Sequence, residues 1–292
     1  MPIGEYVLHR PQTLGEACAL GAEYARNGAY LAGGTELLVD LRSGRKSVGH
    51  VIALGGLGEL KAIAFADGWL RIGALCPLNE IAASDLVREI YPPLAEAILT
   101  MAGVQIRHLG TMGGNFACAV PCSDTPPISI VAGAELVIAG PAGERTLPAH
   151  AFHVAPRLTV LQPGEILREI RIPEQPPASG AAYERFGLRR GMALSVAAVA
   201  VRLVLSGGVI DDARIVLSSV APVPLSARRA AAAVTGHEPG RDVFAAAARL
   251  AAEEAQPITD LRGSERYRRD LVAVLAARAL ARAADRARGG AA

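Results

Sequence analysis

The sequence predicts an α+β protein in two units, and three observations carry that reading. Residues 29–54 run in the order strand, glycine turn, helix, strand, which is a small α/β unit. Alternating apolar segments then flank Asp67-Gly68 and Gly140-Pro141-Ala142-Gly143, as antiparallel hairpins require. Beyond a proline-rich break at 173–180, three strand-like runs precede three helical patterns.

The elements follow in order. Thr13 and Glu16 have the spacing of a capping box, and Leu14, Cys18 and Ala22 recur behind them at helical intervals. That helix leads to a short apolar strand at 29–31, the tight turn Ala32-Gly33-Gly34-Thr35, a second short helix through Asp40 and a strand at 48–54. A hairpin is expected over 61–65 and 70–74, then helices at 78–83 and 94–102. A second glycine turn follows, Gly110-Thr111-Met112-Gly113-Gly114-Asn115, and a further hairpin joins 135–139 to 145–147. After the break, strands are expected at 181–188, 194–205 and 209–220, the last two joined by Gly207-Gly208. Ala- and Arg-rich helical patterns occupy 226–234, 243–254 and 264–284, and the tail from Arg286 to Ala292 is expected to fray. The expected domains are 1–175, with lobes of about 1–55 and 56–175, and 176–288.

Composition narrows the functional classes. The 292 residues are 51% hydrophobic and 20% charged, enough apolar side chain to bury a core in each unit. Net charge is +2, Lys46 and Lys61 are the only lysines, and the arginines are interleaved with acids, as in Glu253, Glu254, Arg262, Glu265 and Arg266. No basic stripe can track a phosphate backbone, which argues against a nucleic-acid partner. The N-terminus lacks a basic segment followed by an apolar core, and the most apolar stretch is interrupted by Ser195 and Arg202. No transmembrane segment and a cytoplasmic location are therefore expected. Four cysteines (Cys18, Cys76, Cys118, Cys122) do not make a disulfide scaffold. Without Cys-x-x-Cys or His-Glu-x-x-His spacing, no metal centre is expected.

The two glycine turns are the candidate binding features. Gly33-Gly34 lies between a strand and a helix, where backbone amides can converge on an anion with no side chain in the way. Thr35 can add a hydroxyl donor, and Thr111, Gly113 and Gly114 are expected to expose N–H groups in the same fashion. Neither turn is followed by Gly-Lys-Ser/Thr, and neither is Gly-x-Gly-x-x-Gly, so a Walker loop and a Rossmann fingerprint are both excluded. Each Gly-Gly alone also reads as a plain tight turn. Two of them beside threonines suit a pyrophosphate held from both sides.

Four stretches carry a resemblance: Leu31-Ala-Gly-Gly-Thr-Glu-Leu37; Ile106-Arg-His-Leu-Gly-Thr-Met-Gly-Gly-Asn115; Pro163-Gly-Glu-Ile-Leu167 with Ile170-Arg-Ile-Pro173; and Pro257-Ile-Thr-Asp-Leu-Arg-Gly-Ser-Glu-Arg-Tyr-Arg268. In this order, across nearly the whole chain, they resemble the medium, flavin-binding subunits of the xanthine dehydrogenase and carbon monoxide dehydrogenase family, the molybdenum hydroxylases. The resemblance implies a two-lobed FAD-binding domain of the vanillyl-alcohol-oxidase (PCMH) type, followed by an α+β C-terminal domain. It assigns Tyr30, Leu31, Ala32, Gly33, Gly34, Thr35, Glu36 and Leu37, together with Gly110, Thr111, Met112, Gly113 and Gly114, to two loops around the FAD pyrophosphate. Asp124 matches an acidic flavin contact, Leu167 an apolar residue near the isoalloxazine, and Arg185 a position where relatives often carry a basic residue. Read from the residues alone, Asp124 could equally cap the helix that follows, Leu167 is a core leucine, and Arg185 a surface charge.

The segment Arg190-Gly-Met-Ala-Leu-Ser195 departs from the pattern, with Ala193 and Leu194 where relatives often place an Asp or an aromatic near the flavin. The resemblance also implies partners: a large molybdopterin subunit and a small [2Fe–2S] subunit, in a heterotrimer that can pair into a dimer of heterotrimers. Electrons would reach FAD on this chain and leave to NAD or another acceptor. No residue here need act on the organic substrate, so no catalytic residue is assigned. The rival readings are a free-standing flavin oxidase of the same fold and a non-catalytic assembly subunit. The short, helix-rich C-terminal region argues against the first, and intact glycine loops argue against the second.

Overall fold

Three main sheets take up the strands in three successive stretches of the chain. The structure is a computed structural model that describes residues 4–189 and 191–289. Val7–His9 (β1), Leu14–Glu23 (α1), Gly28–Leu31 (β2), Leu37–Ser43 (α2) and His50–Ala53 (β3) build the first lobe, with β1 and β2 pairing parallel to a central β3. The N-cap forms as its spacing predicts, with the returning carboxylate bonded one residue earlier than in a capping box. Thr13 Oγ1 accepts from the Glu16 N–H at 3.1 Å, while Glu16 Oε2 accepts from the Gln12 N–H at 2.7 Å. Strand β1 leaves no mark in the sequence, because three residues carry too little periodicity to register.

Ile63–Ala66 (β4) and Trp69–Gly73 (β5) form the first expected hairpin. A helical stretch follows: Leu78–Ala83 (α3), Asp85–Ile90 (α4), Pro92–Thr100 (α5), Val104–Leu109 (α6), Met112–Ala117 (α7) and Thr125–Ala132 (α8). The second glycine turn is thus largely the start of a helix. Glu135–Gly140 (β6) and Gly143–Pro148 (β7) make the second hairpin, and a small pair, His153–Ala155 (β8) and Leu158–Thr159 (β9), precedes Ile166–Pro173 (β10). Strand β10 enters between β5 and β6, giving the order β4-β5-β10-β6-β7.

After the break come Ser179–Gly187 (β11), Ser195–Ser206 (β12), Val209–Ser218 (β13) and Leu225–Ser226 (β14), an antiparallel sheet in chain order. Arg228–Ala232 (α9), Arg241–Glu254 (α10) and Glu265–Ala287 (α11) complete the chain. This is the α+β class the sequence predicts.

Strand β12 explains its own continuous apolar run. Ala198 and Ala200 face a core shared with Tyr91, Ile128 and Ile170, whereas Ala197, Val199, Val201 and Leu203 face a second core with Phe244, Val272 and Leu280. A strand covered on both faces cannot alternate apolar with polar. The sheet therefore joins two cores. Fraying does not begin at Arg286, because Arg286 Nη2 reaches Glu96 Oε1 at 2.6 Å and Nη1 donates to the Ala181 carbonyl at 2.7 Å. Tertiary contacts carry the helix to Ala287, and residues 290–292 of the expected tail lie outside the described residues. Among the described residues, no helix is long and apolar enough to cross a membrane.

Candidate functional site

A cleft of about 970 Å³ opens beside the β2–α2 loop and the start of α7, with the segment before β12 forming part of its wall. The first glycine loop supplies one side. β2 ends at Leu31, the chain turns through Gly34 at φ +73°, and α2 begins at Leu37. Among the described residues, no protein acceptor lies within hydrogen-bond reach of the N–H groups of Gly33, Gly34, Thr35, Glu36 or Leu37. Five successive amides beside a cleft form a cradle for an anion.

Gly33 serves a second purpose. A Cβ on it would lie 1.8 Å from the Leu109 carbonyl oxygen, so only glycine lets the first loop touch the second. That contact brings the two turns, far apart in sequence, to one cleft.

The second turn departs from expectation. Its N–H groups are mostly bonded within the protein: Gly110 to the Ile106 carbonyl at 2.7 Å, Met112 to the Cys76 carbonyl at 3.2 Å and Gly113 to the Ala74 carbonyl at 2.9 Å. The Gly114 N–H goes to Thr111 Oγ1 at 3.0 Å, which makes Thr111 the N-cap of α7. Gly113 and Gly114 therefore do not expose free amides; Thr111 alone in this turn keeps an N–H without a protein acceptor among the described residues. Gly113 is glycine because a Cβ there would meet Ala74 Cβ at 2.5 Å. Sequence shows a Gly-Gly pair in each of these turns, but not which of their amides have partners across the fold.

Tyr30, Ala32, Gly33, Gly34, Thr35, Glu36 and Leu37 line the cleft, as do Gly110, Thr111, Gly113, Gly114, Asp124 and Leu167. Leu31, Met112 and Arg185 do not. Leu31 packs against Ala29, Leu41 and Val51, and Met112 is fully buried in the main core. Leu167 sits at a bulge where β10 slips against β6, which aims its side chain at the cleft.

Asp124 does not cap α8 with its side chain. Its Oδ1 instead accepts from Tyr183 Oη at 2.6 Å and Ser195 Oγ at 2.7 Å, and Arg185 Nε lies 3.6 Å away. The Tyr183 hydroxyl is pushed well above its usual pKa, first by burial and then by Asp124. Arg185 is no surface charge. Its guanidinium holds the Thr100 carbonyl at 2.5 Å and the Ala193 carbonyl at 2.6 Å, so it fixes the cleft wall from behind. Met192, Ala193 and Leu194 stand on that wall, Met192 and Leu194 with 63% and 60% of their surface open; Arg190 lies outside the described residues.

Sequence reasoning missed the charged end. Arg157, on the β8–β9 turn, donates to Asp40 Oδ2 at 2.7 Å and Glu36 Oε1 at 2.8 Å, and Arg45 Nε sits 2.9 Å from Asp40 Oδ1. All of these residues, with Lys46, line the cleft. No local motif marks Arg157, which is 117 residues from Asp40. Cys118 and Cys122 also line the cleft, and burial above all raises both thiol pKa values. No group of three or more His, Cys, Asp or Glu able to hold a metal occurs among the described residues.

Comparison with known proteins places this geometry. A family model described as the FAD binding domain in molybdopterin dehydrogenase matches residues 4–175, and one described as the CO dehydrogenase flavoprotein C-terminal domain matches 181–283. The chain belongs to the FAD-binding subunits of the molybdenum hydroxylases. This flavoprotein is 33% identical to the carbon monoxide dehydrogenase medium chain of Afipia carboxidovorans over 285 residues, 98% of this chain and 99% of that one. It is 28% identical to the xanthine dehydrogenase FAD-binding subunit of Escherichia coli O157:H7 over 283 residues, 96% and 97% of the two chains. Among solved structures, carbon monoxide dehydrogenase from Hydrogenophaga pseudoflava superimposes with a TM-score of 0.94 at 34% identity, covering 97% of this chain and 98% of the other. The flavoprotein is thus the FAD-carrying component of an oxidoreductase.

The residues present fit FAD. The free amides of 33–37 suit its diphosphate, and the cationic groups of Arg45, Lys46 and Arg157 are on the same cleft. Leu167 offers an apolar wall, and Asp124 offers an acceptor for a hydroxyl or N–H donor.

Proposed function

We propose that the chain is the electron-relay subunit of a heteromeric molybdenum hydroxylase, and that FAD lies in the cleft between the two lobes. The observation that carries the site is the row of unpartnered amides from Gly33 to Leu37, facing the same cleft as Asp124 and Leu167. Tyr30, Leu31, Ala32, Gly33, Gly34, Thr35, Glu36 and Leu37 form the diphosphate loop, with the amides as donors and the side chains of Tyr30 and Leu31 as its support. Gly110, Thr111, Met112, Gly113 and Gly114 close the loop from the other side, Thr111 being the donor and Gly113 the close-packing residue. Leu167 shields the ring, Asp124 accepts from the flavin nucleotide, and Arg185 holds the wall carrying Ala193.

Bound FAD supplies the redox chemistry, accepting electrons from [2Fe–2S] clusters of a small partner subunit and passing them to NAD or another acceptor. The chain's own residues bind, orient and screen the cofactor. The organic substrate is oxidised on a large molybdopterin subunit, so no residue here acts on it. The family's medium chains motivate this partnership, a heterotrimer that can pair into a dimer of heterotrimers, in the cytoplasm. The division into 1–175, with lobes of about 1–55 and 56–175, and 176–288 belongs to the same reading.

An absorption spectrum of the gently purified chain, with identification of the released flavin, tests it. Non-covalent FAD that is inert toward small organic substrates until partner subunits are added is the expected result. Reduction of that FAD by a small substrate on the isolated chain would identify a free-standing oxidase, and failure to take up FAD would leave an assembly role.

A further inference from the structure

Asp124 is held by a domain other than its own. Asp124 sits between α7 and α8, whereas Tyr183 is on β11 and Ser195 opens β12. Both hydroxyls donate to the same oxygen, Oδ1, at 2.6 and 2.7 Å. All three residues are buried, with 6%, 5% and 0% of their surface exposed for Asp124, Tyr183 and Ser195. A carboxylate oxygen accepts about two hydrogen bonds in its plane, so Oδ1 is saturated. Oδ2 has no protein donor among the described residues, and Asp124 lines the cleft.

We propose that Tyr183 and Ser195 are positioning residues that fix the Asp124 carboxylate so that Oδ2 meets an O–H or N–H donor of the flavin nucleotide. Two donors on one oxygen set the rotation of the carboxylate, and the fixed plane leaves a single acceptor directed at the cleft. Burial keeps water from competing with either hydroxyl. Arg185, 3.6 Å from Oδ1 and bonded to the Thr100 and Ala193 carbonyls, braces the same corner. The C-terminal domain thereby has a direct part in cofactor affinity, although among the described residues only 192–194 of it line the cleft. The inference rests on the reading of this cleft as the FAD site.

A double-mutant cycle on the full-length chain tests it, with FAD as the probe and the dissociation constant as the readout. Tyr183→Phe and Ser195→Ala should each weaken FAD binding about three- to tenfold, the range expected when a buried acceptor loses one of two charge-assisted donors. The pair together should approach the loss seen in Asp124→Ala, and in an Asp124→Ala background neither substitution should cost further affinity. Ser195→Thr, which keeps the hydroxyl, should bind as wild type does. A merely structural contact between domains would lower the melting temperature without this coupling. Unchanged FAD affinity in Tyr183→Phe/Ser195→Ala, or losses that persist in full without Asp124, would overturn the proposal while leaving the site assignment in place. A wild-type chain that binds no FAD would overturn the site assignment and this inference together.

Discussion

Asn115 Oδ1 accepts two hydrogen bonds from Thr125, one from its N–H at 3.1 Å and one from its hydroxyl at 2.7 Å. The side chain of Asn115 on α7 thus caps the first turn of α8, a task that the sequence alone assigns to Asp124 as the alternative to a flavin contact. Because Asn115 does it, Asp124 is released to Tyr183, Ser195 and the cleft. One amide decides the role of a carboxylate further along the chain.

Asn115→Ala should destabilise the protein by about 1–2 kcal/mol, the usual cost of a lost helix cap, measured by denaturant unfolding. It should also weaken FAD binding, because Asp124 would be drawn toward the vacated helix end. Asn115→Asp retains the acceptor and should restore most of both. Full stability in Asn115→Ala would show that Thr125 needs no cap.

Gly33→Ala should abolish FAD retention. The added Cβ would fall 1.8 Å from the Leu109 carbonyl oxygen, a backbone atom that cannot step aside without moving the second loop. The core of β12 against α10 and α11 contains no residue of either loop, so the far-ultraviolet circular dichroism should stay close to wild type. Wild-type FAD stoichiometry in purified Gly33→Ala would mean that the loops can separate without harm to the site.

Arg268 is 2% exposed and ties the Val196 and Ser219 carbonyls, at 2.8 and 2.9 Å, to Asp260 at 2.6 Å. Burial works against ionised Asp260, but hydrogen bonds from Arg262, side chain and backbone, and from Arg268 outweigh it and hold its pKa below the usual carboxylate range. Arg268→Ala leaves two buried carbonyls without their donor and removes one of the two arginines that bind Asp260, Arg262 remaining. A loss of about 2–5 kcal/mol is expected in equilibrium unfolding, because each buried acceptor left unsatisfied costs about 1–3 kcal/mol. A loss under about 1 kcal/mol would place water in that role.

His153 sets a pH dependence. Burial lowers its pKa below the ordinary histidine value, against the opposing effect of the Phe116 carbonyl 3.0 Å from Nε2. A histidine depressed in the folded state binds its proton more readily when unfolded, so its contribution is present above the unfolded pKa and is lost as pH falls from there through the folded pKa. Melting temperature should therefore drop from about pH 7 toward about pH 5, and His153→Gln should flatten that part of the profile. An identical slope in the variant would assign the acid sensitivity to other groups.

Local chemistry made part of this molecule legible in the sequence by itself. The N-cap at Thr13, the hairpins at Asp67-Gly68 and Gly140-Pro141-Ala142-Gly143 and the proline-rich break all depend on interactions within a few residues. The first glycine loop was legible for the same reason, since a turn that bares amides needs its glycines in place, whereas the four family stretches were legible through their resemblance to known flavin-binding subunits. Tertiary structure alone decided the rest. It determined that the second turn bonds its own amides, that Asn115 and not Asp124 caps α8, that Met112 faces the core, and that Arg157 reaches Glu36 and Asp40. The contacts Tyr183–Asp124, Ser195–Asp124 and Arg157–Asp40 join groups 59, 71 and 117 residues apart. A donor's partner at such separations is chosen by how the sheets and helices pack, and no periodicity or spacing in the chain records that choice.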